Sequence, residues 1–318
     1  MGIFMFKKFW FILSLVALML VFLPMTAFAV VTGSTSEGWD IFIGTPKTDI
    51  YRYGPSMILN DDGSIDMWNG AQENDPNNPN ATDCIKYKRS TDGGLTWGTE
   101  IKVLQGTNGA LDDWGACDPG VSRFGGYYYI GYTATAIGTV DNDVFVARST
   151  SPTGPFEKWN GSGWGGNPQP LMDYTGPKDQ YGYGEPSFVE KNGTLYIYYT
   201  HIGFDPSDGK RKFRTLVATA PSTNPNWPGN VTQQGVAFVH GDAEDSIDVK
   251  YVDAYNKFIA ICTYKRFTSY AKLHMWESTD GITFNLATLP EMYIPQNIHN
   301  AGITGTENGH LDVTKNNR

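Results

Sequence analysis

The chain is predicted to be all-β, a five-bladed β-propeller whose last blade is incomplete, on three observations. A hairpin-like frame recurs at intervals of about 65 residues, shortening to about 50 at the last step, which suits four-stranded blades with variable loops. Glycine (36 residues), proline (18) and aromatic side chains (14%) are plentiful while charged residues reach only 18%, a balance that favours a turn-rich β protein. Similar outer turns also follow the third strand of four successive repeats.

The frame is clearest where Glu185-Pro186-Ser187 opens an extended run, Asn192-Gly193 makes a tight turn, and residues 195–200 form an aromatic-rich strand. It recurs as Asp118-Pro119-Gly120-Val121, Gly125-Gly126 and residues 127–133, and as Gly54-Pro55-Ser56-Met57-Ile58, Asp61-Asp62-Gly63 and residues 65–68. Weaker copies begin at Asp248, before residues 257–262, and at Asn300, before His310-Leu311. Third strands are expected at 84–89, 144–150, 216–220 and 273–277.

The first outer turn, Ser90-Thr91-Asp92-Gly93-Gly94-Leu95-Thr96-Trp97, fits the S-x-D-x-G-x-x-W Asp-box of sialidases and related propellers, and Ser278-Thr279-Asp280-Gly281 repeats its opening. Here Ser and Asp side chains bond turn amides, glycines permit positive φ, and the role expected of Asp92 is structural.

Residues 1–29 read as a signal peptide. Lys7 and Lys8 precede an apolar run over 9–22, and Ala27-Phe28-Ala29 places small residues where a signal peptidase cuts. The run is short for a membrane span and no second one follows, so the mature chain is expected to be secreted and free of the membrane. Residues 30–318 form the propeller domain, with a strand at 39–43 that either caps the first blade or completes the last. Because the chain stops at Arg318 inside blade V, it is read as a piece of a longer protein, with room for further modules.

With 24 Lys and Arg against 33 Asp and Glu the net charge is −9, and loss of the leader removes two lysines more, so no nucleic-acid partner is expected. Cys84, Cys117 and Cys262 match no zinc motif; they read as small buried residues, with a single disulfide left open. No metal is assigned to the site and no cofactor is required, although a structural cation in the central channel is compatible with the acids there.

In a propeller the first strand of each blade lines the channel, so residues at its entrance converge on the axis. Those positions are read as Gly54, Asp118, Glu185, Asp248 and Asn300. Three acids so placed supply what glycosidic hydrolysis needs: one carboxylic acid to protonate the leaving oxygen, one carboxylate to activate water or attack, and a nearby charge to hold the acid's pKa up. The plainer reading is that they cap strand ends or bind a cation.

The frames at Asp118-Pro119 and Glu185-Pro186-Ser187, with residues 127–133 and 195–200, and the segment Ala147-Arg148-Ser149-Thr150-Ser151-Pro152-Thr153-Gly154-Pro155-Phe156 resemble the five-bladed glycosidases typified by glycoside hydrolase family 43. The resemblance covers most of the mature chain and rests on the order and spacing of short motifs. It implies an inverting glycoside hydrolase in which Asp118 tunes the acid and Glu185 is the general acid. The family's blade I base, an Asp, is replaced by Gly54, so the base falls to Asp49 or Asp248.

Around these, Trp114, Tyr181 and Tyr183 precede blade entrances and offer faces for a sugar ring; Trp114 and Tyr183 join the candidate substrate-binding set with His201, Arg266 and His299. Packing and ordinary loop hydrogen bonding are the plainer roles for all of them. The expected function is hydrolysis of a neutral plant or algal polysaccharide or oligosaccharide, since acids at the funnel repel an anionic sugar. The alternatives are a non-catalytic carbohydrate-binding propeller, favoured by Gly54, and a sialidase-like enzyme, favoured by the Asp-box but lacking arginines at the entrances.

Overall fold

A computed structural model describes residues 52–73, 83–136, 138–205, 207–240, 244–288, 292–296 and 300–314. The expected leader, the strand at 39–43, Asp49 and His299 lie outside the described residues.

The chain is a β-propeller. Blade I comprises β1 (Arg52–Leu59), β2 (Ile65–Gln72), β3 (Asp83–Ser90) and β4 (Ile101–Gln105). Blade II comprises β5 (Cys117–Phe124), β6 (Tyr127–Thr135), β7 (Asn142–Ser149) and β8 (Glu157–Lys158). Blade III follows with β9 (Gly182–Lys191), β10 (Thr194–Phe204), β11 (Arg211–Pro221) and β12 (Thr232–Val239). Blade IV has β13 (Asp245–Val252), β14 (Lys257–Tyr264), β15 (Lys272–Ser278) and β16 (Asn285–Leu286), and β17 (Met292–Tyr293) also pairs with β15. Each is an antiparallel meander closed by tight turns. Asn192 (φ 53°) and Gly193 (φ 83°) both take the left-handed conformation that a two-residue hairpin requires.

The blades bury their faces against one another. Ile58, Trp68, Ile130 and Phe145 pack between blades I and II; Phe124, Tyr129, Phe188 and Trp227 between II and III; Tyr198, Val217, Phe258 and Phe284 between III and IV. Trp227 is fully buried, with Tyr129 and Phe188 each meeting its ring edge to face, at 5.6 and 5.9 Å between centroids. Burying side chains of this size contributes about 2 to 3 kcal/mol each.

One position of the inner strands joins neighbouring blades in turn. Ser56 Oγ accepts a hydrogen bond from the Val121 amide (2.9 Å), Ser187 Oγ from the Val249 amide (3.0 Å), and Asp248 Oδ2 from the Ile303 amide (2.7 Å). In the other two steps the residue is glycine because the next backbone presses in. A Cβ on Gly120 would lie 2.0 Å from the Pro186 carbonyl oxygen, and one on Gly302 would lie 2.4 Å from that of Pro55. Residues 300–305 thus hold the fifth inner position, between β13 and β1.

Beyond that point the expectation of a blade V hairpin is corrected. β18 (His310–Leu311) runs parallel to β13, pairing with Tyr251 and Val252. The segment 305–310 instead passes along the C-terminal ends of the four inner strands. Gly305 bonds Leu59, Glu307 bonds the amide and side chain of Arg123, Asn308 bonds the Glu190 amide, and Gly309 bonds the Tyr251 amide. All four blades therefore grip one short stretch of chain.

The outer turns hold themselves together as expected. Ser90 Oγ donates to Asp92 Oδ1 (2.7 Å) and accepts from the Gly94 amide (2.8 Å); Ser278, Asp280 and Gly281 repeat this at 2.8 and 2.9 Å. Cys84, Cys117 and Cys262 are all free thiols, which closes the disulfide option.

Candidate active site

The site grows out of a backbone irregularity repeated around the axis. In each of the first four inner strands the pairing register slips, between Tyr53 and Ser56, Cys117 and Gly120, Gly184 and Ser187, and Asp245 and Asp248. Inside each slip stands one left-handed residue: Gly54 (φ 55°), Asp118 (φ 47°), Glu185 (φ 54°) and Ser246 (φ 53°), with Asn300 (φ 62°) at the fifth position. Such bulges re-aim side chains, and a non-glycine residue held left-handed costs about 1 to 2 kcal/mol. Only Gly54 adopts it without strain.

This register corrects the alignment of blade IV. Ser246, not Asp248, is the counterpart of Asp118 and Glu185. Asp248 is the counterpart of Ser56 and Ser187, the residues that join blades. Its Oδ2 accepts from the Ile303 amide, while its Oδ1 accepts from Ser187 Oγ (3.0 Å) and pairs with Lys250 Nζ. The Lys250 ammonium is itself almost completely buried, so the two charges hold each other.

The five left-handed residues and those just after them line one open cavity. Asp118, Glu185 and Asp248 all contribute to it. Glu185 is 6% exposed, and its amide donates to Thr133 Oγ1 at 2.7 Å. Burial, and then the neighbouring Asp118 charge, push its carboxyl up to about 8; the Thr200 hydroxyl, Arg266 and the Ser246 amide pull the other way. Its Oε2 is buried with no hydrogen-bond partner among the described residues. Asp118 Oδ1 accepts from Asn300 Nδ2 at 3.0 Å. A Cβ on Gly54 would lie 3.3 Å from Asp118 Cα and 3.5 Å from Asn300 Nδ2, so these three are immediate neighbours.

Of the surrounding candidates, Arg266, 9% exposed in the loop after β14, interacts with Glu185 and with Tyr181. Tyr181 stands beside Glu185 and Asp118: burial, Glu185, Asp118 and Cys117 all raise its phenol, and its hydroxyl lies against Gly184 and Thr133. Tyr183 and His201 are not among the residues that line the cavity. They pack on each other with ring centroids 5.2 Å apart and on Tyr174, beside Asp143 and Arg214. Trp114 is 46% exposed, its amide bonded to the Thr135 carbonyl. The Cys117 thiol is raised by burial and then by Asp118 and Asp83, which holds it in the protonated, unreactive form.

Asn300 takes the fifth entrance position read for it, while Thr133, Thr200 and Ser246 shape the site without having been singled out. Ser246 was findable: Ser246-Ile247-Asp248 repeats the frame of Glu185-Pro186-Ser187 once proline is not required.

No protein-family model matches the chain, and no curated protein matches its sequence. Solved structures do match its fold. One is Zg3597, a family 117 glycoside hydrolase from the marine bacterium Zobellia galactanivorans, at 17% identity and a TM-score of 0.58 over 82% of this chain and 75% of that one. A second is a thermostable family-43 glycoside hydrolase, at 14% identity and a TM-score of 0.56 over 81% and 80%. A third is an endo-arabinase from Bacteroides thetaiotaomicron, at 16% identity and a TM-score of 0.50 over 74% and 79%. At these identities what is shared is the propeller.

Proposed function

We propose that this protein is a glycoside hydrolase acting on a neutral plant or algal polysaccharide or oligosaccharide, with Glu185 as proton donor. The observation that carries the reading is the Glu185–Asp118 pair: a buried carboxyl raised to about 8 by burial and by a neighbouring charge, in a cavity at the centre of a propeller. A donor must be protonated at working pH, and a carboxyl raised to about 8 meets that condition at neutral pH. The fold shared with family 117 and family 43 enzymes supports the same reaction class.

The base is the open part of the proposal. Asp248 is committed to Lys250, Ser187 and the Ile303 amide, which favours a structural role for it. Asp49 remains the candidate base, and inversion would require it to stand roughly 6.5 to 9.5 Å from Glu185. Gly54 favours a second reading, a propeller that binds carbohydrate without cleaving it. Export through the leader at residues 1–29 belongs to the proposal; among the described residues no helix is long and apolar enough to cross a membrane.

The deciding experiment incubates the purified protein with neutral arabinosides, xylosides and galactosides and measures hydrolysis and binding together. Turnover that disappears in Glu185→Gln while binding persists supports the enzyme. Binding without turnover in the wild type, unchanged by Glu185→Gln, would replace it with the binding propeller.

A further inference from the structure

Away from the cavity, between the outer strand of blade III and blade IV, four side chains with metal-ligating atoms meet. Glu244 Oε1 lies 3.0 Å from Cys262 Sγ and 2.9 Å from His274 Nδ1, and Glu244 Oε2 lies 4.0 Å from His240 Nδ1. The ligand atoms of His240, Glu244 and Cys262 all fall within 4.8 Å of one another. The side chains of His240, Glu244 and Cys262 are no more than 1% exposed and that of His274 is 18% exposed.

A second observation points to a ligand. His240 Nδ1, deeply buried and aimed at Glu244, has no hydrogen-bond partner among the described residues. Its other nitrogen, Nε2, lies 2.7 Å from the hydroxyl of buried Thr215. If Nε2 carries the proton and donates it to Thr215, the Nδ1 lone pair faces the cluster, the arrangement a metal-bound histidine needs. Around it Phe238 stacks on Trp276 at 4.2 Å, a dry wall that strengthens any charge interaction inside.

We propose that His240, Glu244, Cys262 and His274 form a structural site for a zinc-class divalent cation that clamps blade III to blade IV. A tetrahedral zinc with sulfur, nitrogen and oxygen donors sets neighbouring ligand atoms roughly 3.3 to 3.6 Å apart. The contacts of Glu244 with Cys262, His274 and His240 run from 2.9 to 4.0 Å, so binding requires small side-chain shifts, largest for His274, which reaches the group through Glu244. A thiolate with two imidazoles selects zinc over calcium or magnesium, and four protein donors leave no open position for catalysis. The hydrogen bonds from Cys262 and His274 to Glu244 belong to the metal-free form. On binding, the Cys262 proton leaves to solvent and the cation takes its place between thiolate and carboxylate.

The strands supply the ligands from both sides. His240 follows β12, held there by its amide's bond to the Phe213 carbonyl (2.9 Å); Cys262 lies on β14 and His274 opposite it on β15. Glu244 stands two residues before Ser246, so the clamp also fixes the approach to the fourth left-handed position. The site does not depend on the glycosidase reading and is tested without activity.

The full chain is purified without chelator, its zinc content measured, and the metal then exchanged for cobalt(II). The expected result is about one zinc per folded chain, and cobalt giving tetrahedral ligand-field bands with a thiolate-to-cobalt charge-transfer band. Cys262→Ser should remove the charge-transfer band, and chelation should lower the thermal midpoint of the wild type. Folded wild type that retains no zinc and gives no cobalt bands overturns the proposal, even if every variant fails to fold. A charge-transfer band absent from the wild type, or unchanged in folded Cys262→Ser, overturns it equally.

Discussion

The Asn300 side-chain amide donates a 3.0 Å hydrogen bond to Asp118 Oδ1, joining the fifth inner position to the second at the mouth of the cavity. Asn300 is left-handed at φ 62°, so Asn300→Gly keeps the backbone and removes only the amide. We expect a stability change of no more than about 1 kcal/mol by denaturant titration, because relief of strain offsets the lost bond. Turnover of any cleaved substrate should fall at the same time. Unchanged kcat/KM would show that Asp118 needs no positioning from this amide.

Glu185 gives a test in stability alone. Its folded pKa of about 8 lies above the ordinary carboxylate range, so between pH ~4.5 and ~8 the native state keeps a proton that the unfolded state has lost. Its contribution is therefore fully present below pH ~4.5 and is lost as pH rises through about 8, with a slope approaching ~1.4 kcal/mol per pH unit. Glu185→Gln should lack this slope and gain on the wild type as pH rises. Parallel stability curves for the two proteins would mean that Glu185 is ionised in the folded state.

Asp118→Asn removes the second-largest cause of the Glu185 shift, after burial. In the wild type kcat/KM should decline above pH about 8, where the donor ionises. The variant's decline should begin at lower pH. An unmoved alkaline limb would separate Asp118 from the acid's titration.

Asp248→Asn leaves the buried Lys250 ammonium without its carboxylate. Breaking a buried pair in this way costs about 3 to 5 kcal/mol, and a fall of that order in unfolding free energy is expected. Turnover per folded molecule should survive. Lost turnover at nearly wild-type stability would return Asp248 to the role of base.

Blades I to III were readable because three local signals coincide in each: proline after the left-handed residue, a glycine turn, and an aromatic second strand. Blade IV lacks the proline, and the acidity of Asp248 drew the alignment two residues too far. The same bulge explains the tyrosines. A left-handed residue breaks the two-residue alternation of a strand, so counting faces along Tyr181 to Ser187 cannot tell which ring reaches the cavity. Pairing of β18 with β13 was out of reach too, because it joins residues about 60 positions apart in parallel. His240, Glu244, Cys262 and His274 follow no ligand spacing, since they meet only when two blades dock.

The strip from Gly305 to His310 has a consequence for biosynthesis. It is translated after all four blades, yet each blade's inner strand is held by it. A nascent chain can complete every meander before this strip is made, and Asn300, which bonds Asp118, is itself translated only after the last of them. Until then chaperones and proteases meet a molecule with finished sheets and an unfinished centre, so the cavity is among the last parts to be assembled.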